Sequence, residues 1–408
     1  MKGRHLLQYK LMLFMVIALL AFSAGLVQAG TSTILVKDIL PGGAGSNPRF
    51  LAQVGKTLFF RANDGANGVE LWKSKGRAGN TKLVKDINPS GSSNPSLFTN
   101  LGKTVFFQAN DGTNGVELWK SRGSKGTTKL VKDINPGPAG SQPSEFIDVD
   151  GTLFFVASDG STGFELWRSD GTGVGTVEVK DINTTGDSFP AQFTDAGGTL
   201  FFAANDGSNG KELWKSDGTA GGTVLVKDIR TAGSSDPSKL TYIGGTLFFV
   251  ANDGTMGFEL WKSDAGGTVL VKDINSGTGS SFPSELTKVD GTLFFLADDG
   301  TIGEELWMSD AGGTVLVKDI NPSGSSSPSK LTNGDGTLFF SADDGTNGEE
   351  LWMSDGTGVG TVEVKDINPG AGSSNPRELT YIGGTLFFSA VDGTNGRELW
   401  KHKETRKP

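Results

Sequence analysis

Residues 239–274 read KLTYIGGTLFFVANDGTMGFELWKSDAGGTVLVKDI, and the pattern of this segment predicts the fold of the chain. It holds four short segments rich in Thr, Val, Leu, Phe and Trp, which Gly, Asp and Asn separate. β-branched and aromatic residues favour strands, and the separating residues favour tight turns. Gly244-Gly245 fits a two-residue hairpin, because glycine reaches the positive φ angles that such a turn requires. The stretch therefore predicts four short antiparallel strands.

The same four segments recur along the chain, and a Trp within Glu-Leu-Trp marks each copy. Successive Trp residues lie 45–48 positions apart, an interval within the range of propeller repeats. A Trp at one position in every copy predicts packing between neighbouring sheets, with a ligand-stacking ring as the alternative. The eight residues are Trp72, Trp119, Trp167, Trp214, Trp261, Trp307, Trp352 and Trp400.

The second segment of each copy is apolar at consecutive positions, as in residues 247–251, LFFVA. A strand with apolar side chains on both faces belongs to a sheet that is covered on both sides. We therefore expect an all-β, eight-bladed β-propeller with four antiparallel strands in each blade. An open solenoid is the alternative, but it needs atypical capping repeats at its ends, and the last copy, residues 378–400, is regular.

The two ends of the array complement each other. The array begins with a lone fourth segment at residues 31–39 and ends at residues 378–400 without one. We expect this N-terminal strand to pair with the last blade and close the ring, because closure removes an exposed strand edge. The predicted domain organisation is a signal peptide at 1–29, a single propeller domain at 30–401 and a basic C-terminal tail at 402–408.

The N-terminus has the layout of a secretory signal peptide. Basic residues, including Lys2 and Arg4, precede the apolar run 11–20, and Val27-Gln28-Ala29 offers a cleavage site. An uncleaved membrane anchor is the alternative. The layout predicts a secreted, extracytoplasmic protein, periplasmic or extracellular. We expect the mature chain to be a monomer without a membrane span.

Composition excludes several kinds of chemistry. The chain has no Cys, and its two histidines, His5 and His402, lie at opposite ends. Disulfides, thiolate metal sites, a Ser-His-Asp triad and multi-histidine metal sites are therefore excluded from the body of the chain. The net charge of −9 disfavours nucleic-acid binding. We identify no catalytic residue and no cofactor other than a candidate Ca²⁺.

The motif Glu-Leu-Trp-x-Ser-Asp-Gly-Thr, followed by Val-Lys-Asp-Ile, resembles the ELWxxDGT repeats of bacterial secreted proteins. This resemblance covers roughly residues 31–401 and implies an extracytoplasmic location and a propeller-like fold. Residues 204–214, ANDGSNGKELW, also resemble the tryptophan-docking motif of eight-bladed quinoprotein dehydrogenases, which bind pyrroloquinoline quinone with Ca²⁺. Because the body of the chain lacks Cys and His, that second resemblance implies the packing motif and not the activity.

Two acidic motifs recur in every copy. The Asp of each Asp-Gly turn either caps the turn through its own backbone or contributes to a weak Ca²⁺ site. The best Ca²⁺ candidates are the adjacent carboxylates Asp298, Asp299, Asp343 and Asp344. The Glu of Glu-Leu-Trp is expected to pair across strands.

Basic residues distinguish the first two copies, where Lys75 and Arg122 replace the Asp of later copies. They belong to a possible basic interaction patch for an anionic partner, with drift between copies as the alternative. The patch consists of Lys75, Arg77, Lys82, Arg122, Lys125 and Lys129. For the whole chain we expect a non-catalytic binding or scaffold module that presents its repeated loops to an extracellular glycan or protein. The alternative is a propeller polysaccharide hydrolase or lyase with carboxylates near a central channel.

Overall fold

The structure is a computed structural model that describes residues 34–403. The predicted signal peptide lies outside the described residues, and so does most of the predicted C-terminal tail. Within 34–403 the chain contains no helix of the length and hydrophobicity that crossing a bilayer requires. Two short 3-10 turns, Ala78–Asn80 and Lys125–Thr127, accompany the strands.

The described residues form thirty-one strands in eight antiparallel sheets, numbered here in chain order. Sheet by sheet, the strands are β1 Arg49–Val54, β2 Thr57–Asn63, β3 Val69–Ser74 and β4 Lys82–Lys85; β5 Ser96–Leu101, β6 Thr104–Asn110, β7 Val116–Ser121 and β8 Lys129–Lys132; β9 Ser144–Val149, β10 Thr152–Ser158, β11 Phe164–Ser169 and β12 Val177–Lys180; β13 Ala191–Asp195, β14 Leu200–Asn205, β15 Lys211–Ser216 and β16 Val224–Lys227; β17 Ser238–Ile243, β18 Thr246–Asn252, β19 Phe258–Asp264 and β20 Gly267–Lys272; β21 Ser284–Val289, β22 Thr292–Asp298, β23 Glu304–Asp310 and β24 Gly313–Lys318; β25 Ser329–Gly334, β26 Thr337–Asp343, β27 Glu349–Ser354 and β28 Val362–Lys365; β29 Arg377–Ile382, β30 Thr385–Val391 and β31 Arg397–His402.

Strands that follow each other in the chain pair antiparallel within each sheet. The Gly244-Gly245 hairpin forms where it was predicted, since Ile243 pairs with Thr246 across it. Seven sheets have four strands and the eighth has three. The predicted all-β architecture of repeated antiparallel sheets, consistent with a propeller, is therefore confirmed.

The first strand of each sheet lies beside the first strand of the next sheet, from β1 and β5 through to β25 and β29. We name the row of neighbouring first strands the inner wall, because the first strands of a propeller lie closest to its axis; the fourth strands form the opposite edge of each sheet. Turns between second and third strands share one rim with the crossovers between sheets, and the two other kinds of turn lie on the opposite rim.

Apolar side chains fill the space between successive sheets. Between sheets 1 and 2, Phe59 and Leu71 pack against Phe107 and Trp119 in one buried cluster. Phe106, the neighbour of Phe107, belongs to the next cluster, between sheets 2 and 3. Consecutive apolar residues in the second strand thus pack in two different interfaces. This explains why apolar and polar residues do not alternate along that strand.

The Lys of Val-Lys-Asp-Ile links each sheet to the next. The ammonium group of Lys132 lies 5.6 Å from the ring centroid of Trp167 and donates to the carbonyl oxygen of Thr176 at 2.9 Å. Lys37, before the first sheet, makes the same two contacts, with Trp72 and with the Thr81 carbonyl. The segment that contains Lys37 therefore lies against sheet 1 as a fourth strand lies against its neighbour.

The Glu of Glu-Leu-Trp does not pair across strands as expected. In sheet 3, Glu165 is fully buried and accepts hydrogen bonds from the backbone N–H groups of Ile182 and Ser188, both at 2.9 Å. The Ser188 hydroxyl donates to the same carboxylate at 2.6 Å. Because Ile182 and Ser188 lie in the crossover to the next sheet, Glu165 ties that crossover to the core. The same bonds recur in the first seven sheets, through Glu70, Glu117, Glu165, Glu212, Glu259, Glu305 and Glu350.

These glutamates make the stability of the fold depend on pH. Burial raises the pKa of all seven, and outweighs the hydrogen bonds that favour the charged form; for Glu165 the pKa rises to about 7. A carboxyl group with a raised folded-state pKa contributes stability that is complete below its unfolded value of 4.5 and is lost as pH rises through the folded value. We expect the melting temperature to fall by several degrees between pH 5 and pH 8 at constant ionic strength.

Thermal unfolding followed by circular dichroism measures this dependence, with Glu165→Gln as the control. The Gln variant has one buried titrating group fewer, so its slope between pH 5 and pH 8 should be smaller. A melting temperature that is flat or rises over this range would contradict the assignment.

The ends of the array differ from its middle. Within the described residues sheet 8 has no fourth strand, and Leu399 on β31 is 76% exposed where its counterpart Leu351 is fully buried. Ile34 and Leu35 are also exposed, and no pairing between residues 34–39 and β31 occurs in the described chain. The predicted closure of the ring is therefore not observed and stays a proposal.

Candidate functional site

The inner wall carries a repeated backbone irregularity. The second residue of every first strand has a positive φ, for example 56° at Leu97 and 54° at Glu145, and lies at a shift in strand register. Such β-bulges bend a strand and redirect a side chain. The eight positions are Phe50, Leu97, Glu145, Gln192, Lys239, Glu285, Lys330 and Glu378. None is glycine, so a strained backbone is combined with five different types of side chain among the eight sheets.

Some of these side chains have partners within the wall. The Gln192 side-chain oxygen accepts a hydrogen bond from the backbone N–H of Lys239, and Glu285 accepts one from that of Leu331, both at 3.1 Å. Lys330 forms an ion pair with Glu349 at 3.0 Å. In the part of the chain that the structure describes, the exposed Glu145 carboxylate has neither a hydrogen bond nor an ion pair.

Glu145 borders a cavity of about 370 Å³ between the first strands of sheets 2, 3 and 4. Apolar side chains dominate its lining, and Glu145 is the one charged member. The lining residues are Leu97, Phe98, Thr99, Glu145, Phe146, Ile147 and Phe193. We name this space the inner cavity.

Three phenylalanines set the inner cavity apart from the rest of the wall. Phe98, Phe146 and Phe193 each follow the bulged residue of their strand, at a position where the other five copies have Leu. Each ring packs edge-on against a buried Phe of the adjacent second strand, with centroids 5.6–5.9 Å apart. Each ring also packs against a different inter-sheet cluster, so the core holds the three rings in place where they border the cavity. These residues were not predicted from the sequence, although a Phe in three consecutive copies and a Leu in the five others distinguishes them.

The structure places the repeated Trp residues between sheets. Six of them are buried in clusters between sheets, Trp72 is buried in a cluster that sheet 1 forms with Ile39, and Trp400 in the last sheet is partly buried. Buried indoles of this kind contribute packing area and offer no face to a ligand. Removal of one such side chain, as in Trp214→Ala, leaves a cavity at an interface.

The Asp residues singled out for Ca²⁺ lie in turns between second and third strands. Asp344 accepts hydrogen bonds from the backbone N–H groups of Thr346 and Asn347 at 2.8 and 2.7 Å, and Asp299 caps its own turn in the same way. Partial burial acts to raise the pKa of Asp344, but the hydrogen bonds outweigh it and lower the pKa. Asp298 and Asp343 accept from Gly300 and Gly345.

These hydrogen bonds are those expected if the Asp residues cap their own turns, which was the alternative to a Ca²⁺ site. Within residues 34–403, no three His, Asp or Glu side chains come together as metal ligands. Ca²⁺ binding stays a prediction.

The basic residues of the first two copies lie at the turns between third and fourth strands, on the rim opposite the Asp-Gly turns. Arg122 and Lys129 border a second cavity together with Lys120, which the sequence analysis did not include. Lys75, Arg77, Lys82 and Lys125 do not line that cavity.

The raised pKa of Glu165 does not mark a catalytic group. Its two carboxylate oxygens already accept three hydrogen bonds in a fully buried site, where no substrate has access. The same arrangement recurs in six other sheets, so it belongs to the fold. Catalytic carboxylates need access to a reacting group as well as an altered pKa.

No protein-family model matches the chain, and no curated protein is significantly similar to it. The resemblance to ELWxxDGT repeats therefore stays a prediction. Similar solved structures include one from a study of two prolyl endopeptidases, with 14% identity, coverage of 77% of this chain and 50% of that chain, and a TM-score of 0.41. A puromycin-hydrolyzing peptidase of Mycobacterium tuberculosis is 11% identical, and the match covers 84% of this chain and 58% of that chain with a TM-score of 0.39. A puromycin hydrolase is 14% identical, and the match covers 75% of this chain and 51% of that chain with a TM-score of 0.33.

These similarities correct the predicted function. The similar structures are peptidases and hydrolases, and this finding contradicts both the non-catalytic scaffold and its polysaccharide hydrolase or lyase alternative. The chain spans 50–58% of the length of the solved structures it matches. At 11–14% identity and TM-scores of 0.33–0.41, peptidase activity is not assigned to this chain.

Proposed function

We propose that the protein binds a ligand that joins an aromatic or branched apolar group to a cationic group, and that the inner cavity is the binding site. One observation carries this proposal: Phe98, Phe146 and Phe193 gather in one cavity, and Glu145, at its border, has no partner among the described residues. This combination occurs at sheets 2–4, where the phenylalanines interrupt a series of leucines.

The size and the chemistry of the cavity support this ligand class. A volume of about 370 Å³ lies within the range of sites that hold small organic molecules. Phenylalanine rings attract apolar groups and, over their faces, cations. A carboxylate beside them selects a positive charge and repels an anion. Because edge contacts to buried Phe residues hold the rings, little side-chain freedom is lost on binding.

Three probes that differ in one functional group test the proposal: 3-phenylpropylamine, 3-phenylpropanol and 3-phenylpropionate. We expect the amine to bind most tightly and the propionate least, as measured by calorimetry or by ligand-detected NMR. Glu145→Gln should weaken amine binding roughly three- to fivefold and remove its advantage over the alcohol. Phe146→Leu, which installs the residue of the other copies, should weaken the binding of all three probes.

Glu378→Gln is the matched control, because Glu378 occupies the bulge position of Glu145 in sheet 8 and does not line the cavity. It should leave all three affinities unchanged. The proposal is wrong if the wild-type protein binds none of the probes at millimolar concentration. It is also wrong if Glu378→Gln and Glu145→Gln have equal effects.

We propose that the eight sheets close into one ring. The Glu of sheet 8, Glu398, is exposed and accepts no hydrogen bond within the described residues. Its expected donors would stand at the other end of the array: Ile39 and Ser46 correspond to Ile87 and Ser93, which donate to Glu70. The backbone N–H of Asn63 bonds to the Ser46 carbonyl, as that of Asn110 bonds to Ser93, and this supports the correspondence.

Export to an extracytoplasmic compartment is likewise proposed, from residues 1–29 alone. In that setting the ligand of the inner cavity would be a molecule outside the cytoplasm. Cationic peptides and amines with an aromatic group have the required chemistry.

A further inference from the structure

The rim opposite the Asp-Gly turns contains a cavity of about 180 Å³ in sheet 2. Three basic side chains, Lys120, Arg122 and Lys129, line it together with Thr104, Gly126 and Thr127. No acidic side chain takes part in the lining. We name this space the basic cavity; it is separate from the inner cavity in both position and charge.

Strand pairing brings two like charges together in the basic cavity. Lys120 on β7 lies directly opposite Lys129 on β8. Like charges at directly opposed positions destabilise a sheet. Sheets 3–7 avoid this arrangement, because a Val occupies the position of Lys129: Val177, Val224, Val269, Val315 and Val362.

A third positive charge takes the place of a negative one. Arg122 occupies the position at which sheets 3–7 have an Asp: Asp170, Asp217, Asp264, Asp310 and Asp355. Sheet 2 itself has no carboxylate at this turn. Asp170 of sheet 3 is close enough to Lys120 for the ammonium charge to help lower the pKa of Asp170, so a bound anion would mainly offset the charges of Arg122 and Lys129.

Hydrogen bonds hold the cationic groups in place and leave donors available. Nε of Arg122 donates to the hydroxyl of the buried Thr104 at 3.1 Å, and Lys120 donates to the carbonyl oxygen of Gly171. The two terminal nitrogens of Arg122 and the ammonium group of Lys129 have no acceptor among the described residues. A guanidinium held at Nε presents its remaining N–H groups as a fork that suits a tetrahedral oxyanion.

We propose that the basic cavity binds a phosphate or sulfate group carried as a monoester on a small molecule. The volume holds the charged group and little more, so the rest of the ligand would extend into solvent. Lys120, Arg122 and Lys129 supply the charge, and the Thr127 region closes one side of the cavity. This site does not depend on the ligand proposed for the inner cavity.

Calorimetry with glucose 6-phosphate, glucose 6-sulfate and glucose tests the proposal at constant ionic strength. We expect at least one of the two esters to bind and neutral glucose not to bind, and the two arms show which oxyanion the cavity accepts. Lys129→Val installs the residue of sheets 3–7 and should weaken ester binding about tenfold. It should also raise the melting temperature without ligand, because the like-charge pair is removed.

Lys82→Val is the matched control, because Lys82 makes the corresponding Lys–Lys pair with Lys73 in sheet 1 and does not line the basic cavity. It should change ester affinity by less than twofold. The proposal is overturned if neither ester binds to the wild-type protein. It is equally overturned if Lys82→Val weakens binding as much as Lys129→Val, since binding then reflects general positive charge.

Discussion

Replacement of Glu165 by Leu is expected to reduce the free energy of unfolding by about 3–5 kcal/mol. The change leaves the buried backbone N–H groups of Ile182 and Ser188 without an acceptor, and the Ser188 hydroxyl keeps only the carbonyl oxygen of Phe164 at 3.3 Å. Each unsatisfied buried polar group costs about 1–3 kcal/mol. The crossover that Glu165 fastens should also loosen, so hydrogen exchange at Ile182 and Ser188 should become faster.

Glu178→Leu in the same sheet is the control for this loss. Glu178 accepts a hydrogen bond from the Thr162 hydroxyl at 2.9 Å, but Leu residues occupy its position in five other sheets. The same Glu-to-Leu exchange should therefore change the stability by less than about 0.5 kcal/mol. Urea unfolding of both variants gives the comparison. Equal losses in the two variants would show that the buried carboxylate does not have the role assigned to it.

A disulfide between the two ends of the array is the second large effect, at about 5 kcal/mol of added stability. Lys73 pairs with Lys82 in sheet 1 and Lys120 with Lys129 in sheet 2, so a fourth strand on β31 would place Ile34 opposite Lys401. Ile34→Cys combined with Lys401→Cys should then oxidise to one intramolecular bond. Since the natural chain has no Cys, no other thiol competes. A crosslink that closes a loop of this length restricts the unfolded chain strongly.

Three further Cys variants show whether the crosslink depends on the predicted pairing of Ile34 with Lys401. The single variants Ile34→Cys and Lys401→Cys should remain reduced monomers. Ile34→Cys combined with Lys365→Cys is the out-of-register control, because Lys365 ends the fourth strand of sheet 7 and does not face Ile34 in a closed ring. A crosslink in that control would show that the N-terminal segment samples many positions.

The sequence predicted the repeated sheets because their causes are local. Gly244-Gly245 favours a hairpin at that position. The apolar run 247–251 is buried on both of its faces only if other sheets pack on both sides of its own sheet. The eight Trp residues, spaced 45–48 positions apart, indicated the number and the length of the copies. These features need only a few adjacent residues to act, and the structure has them where they were expected.

The roles of several side chains could not be predicted from local patterns. Glu70 accepts hydrogen bonds from Ile87 and Ser93, which lie 17 and 23 residues further along the chain. The residues next to Glu70 in the sequence therefore do not indicate these bonds. The positive φ at Glu145 carries no signature either, because bulges of this kind usually attract glycine and here do not. Lys120 was missed because only strand register shows that it faces Lys129.

A binding site is harder to predict from this sequence than the fold, because the repeated residues say little about it. Residues present in every copy serve the fold, and a binding site arises where one copy departs from the others. Phe98, Phe146 and Phe193 are such departures, and so is Arg122. The departures acquire meaning only when the arrangement of sheets brings them together around one cavity.

We propose that the eight sheets form one ring and that its inner wall, made of first strands, carries the ligand site. The decisive experiment is oxidation of the Ile34→Cys, Lys401→Cys protein at low concentration, with the products separated by non-reducing electrophoresis and identified by mass. A closed ring predicts a crosslinked monomer that melts at a higher temperature than its reduced form. A product that stays reduced, or that crosslinks only between two molecules, would contradict it.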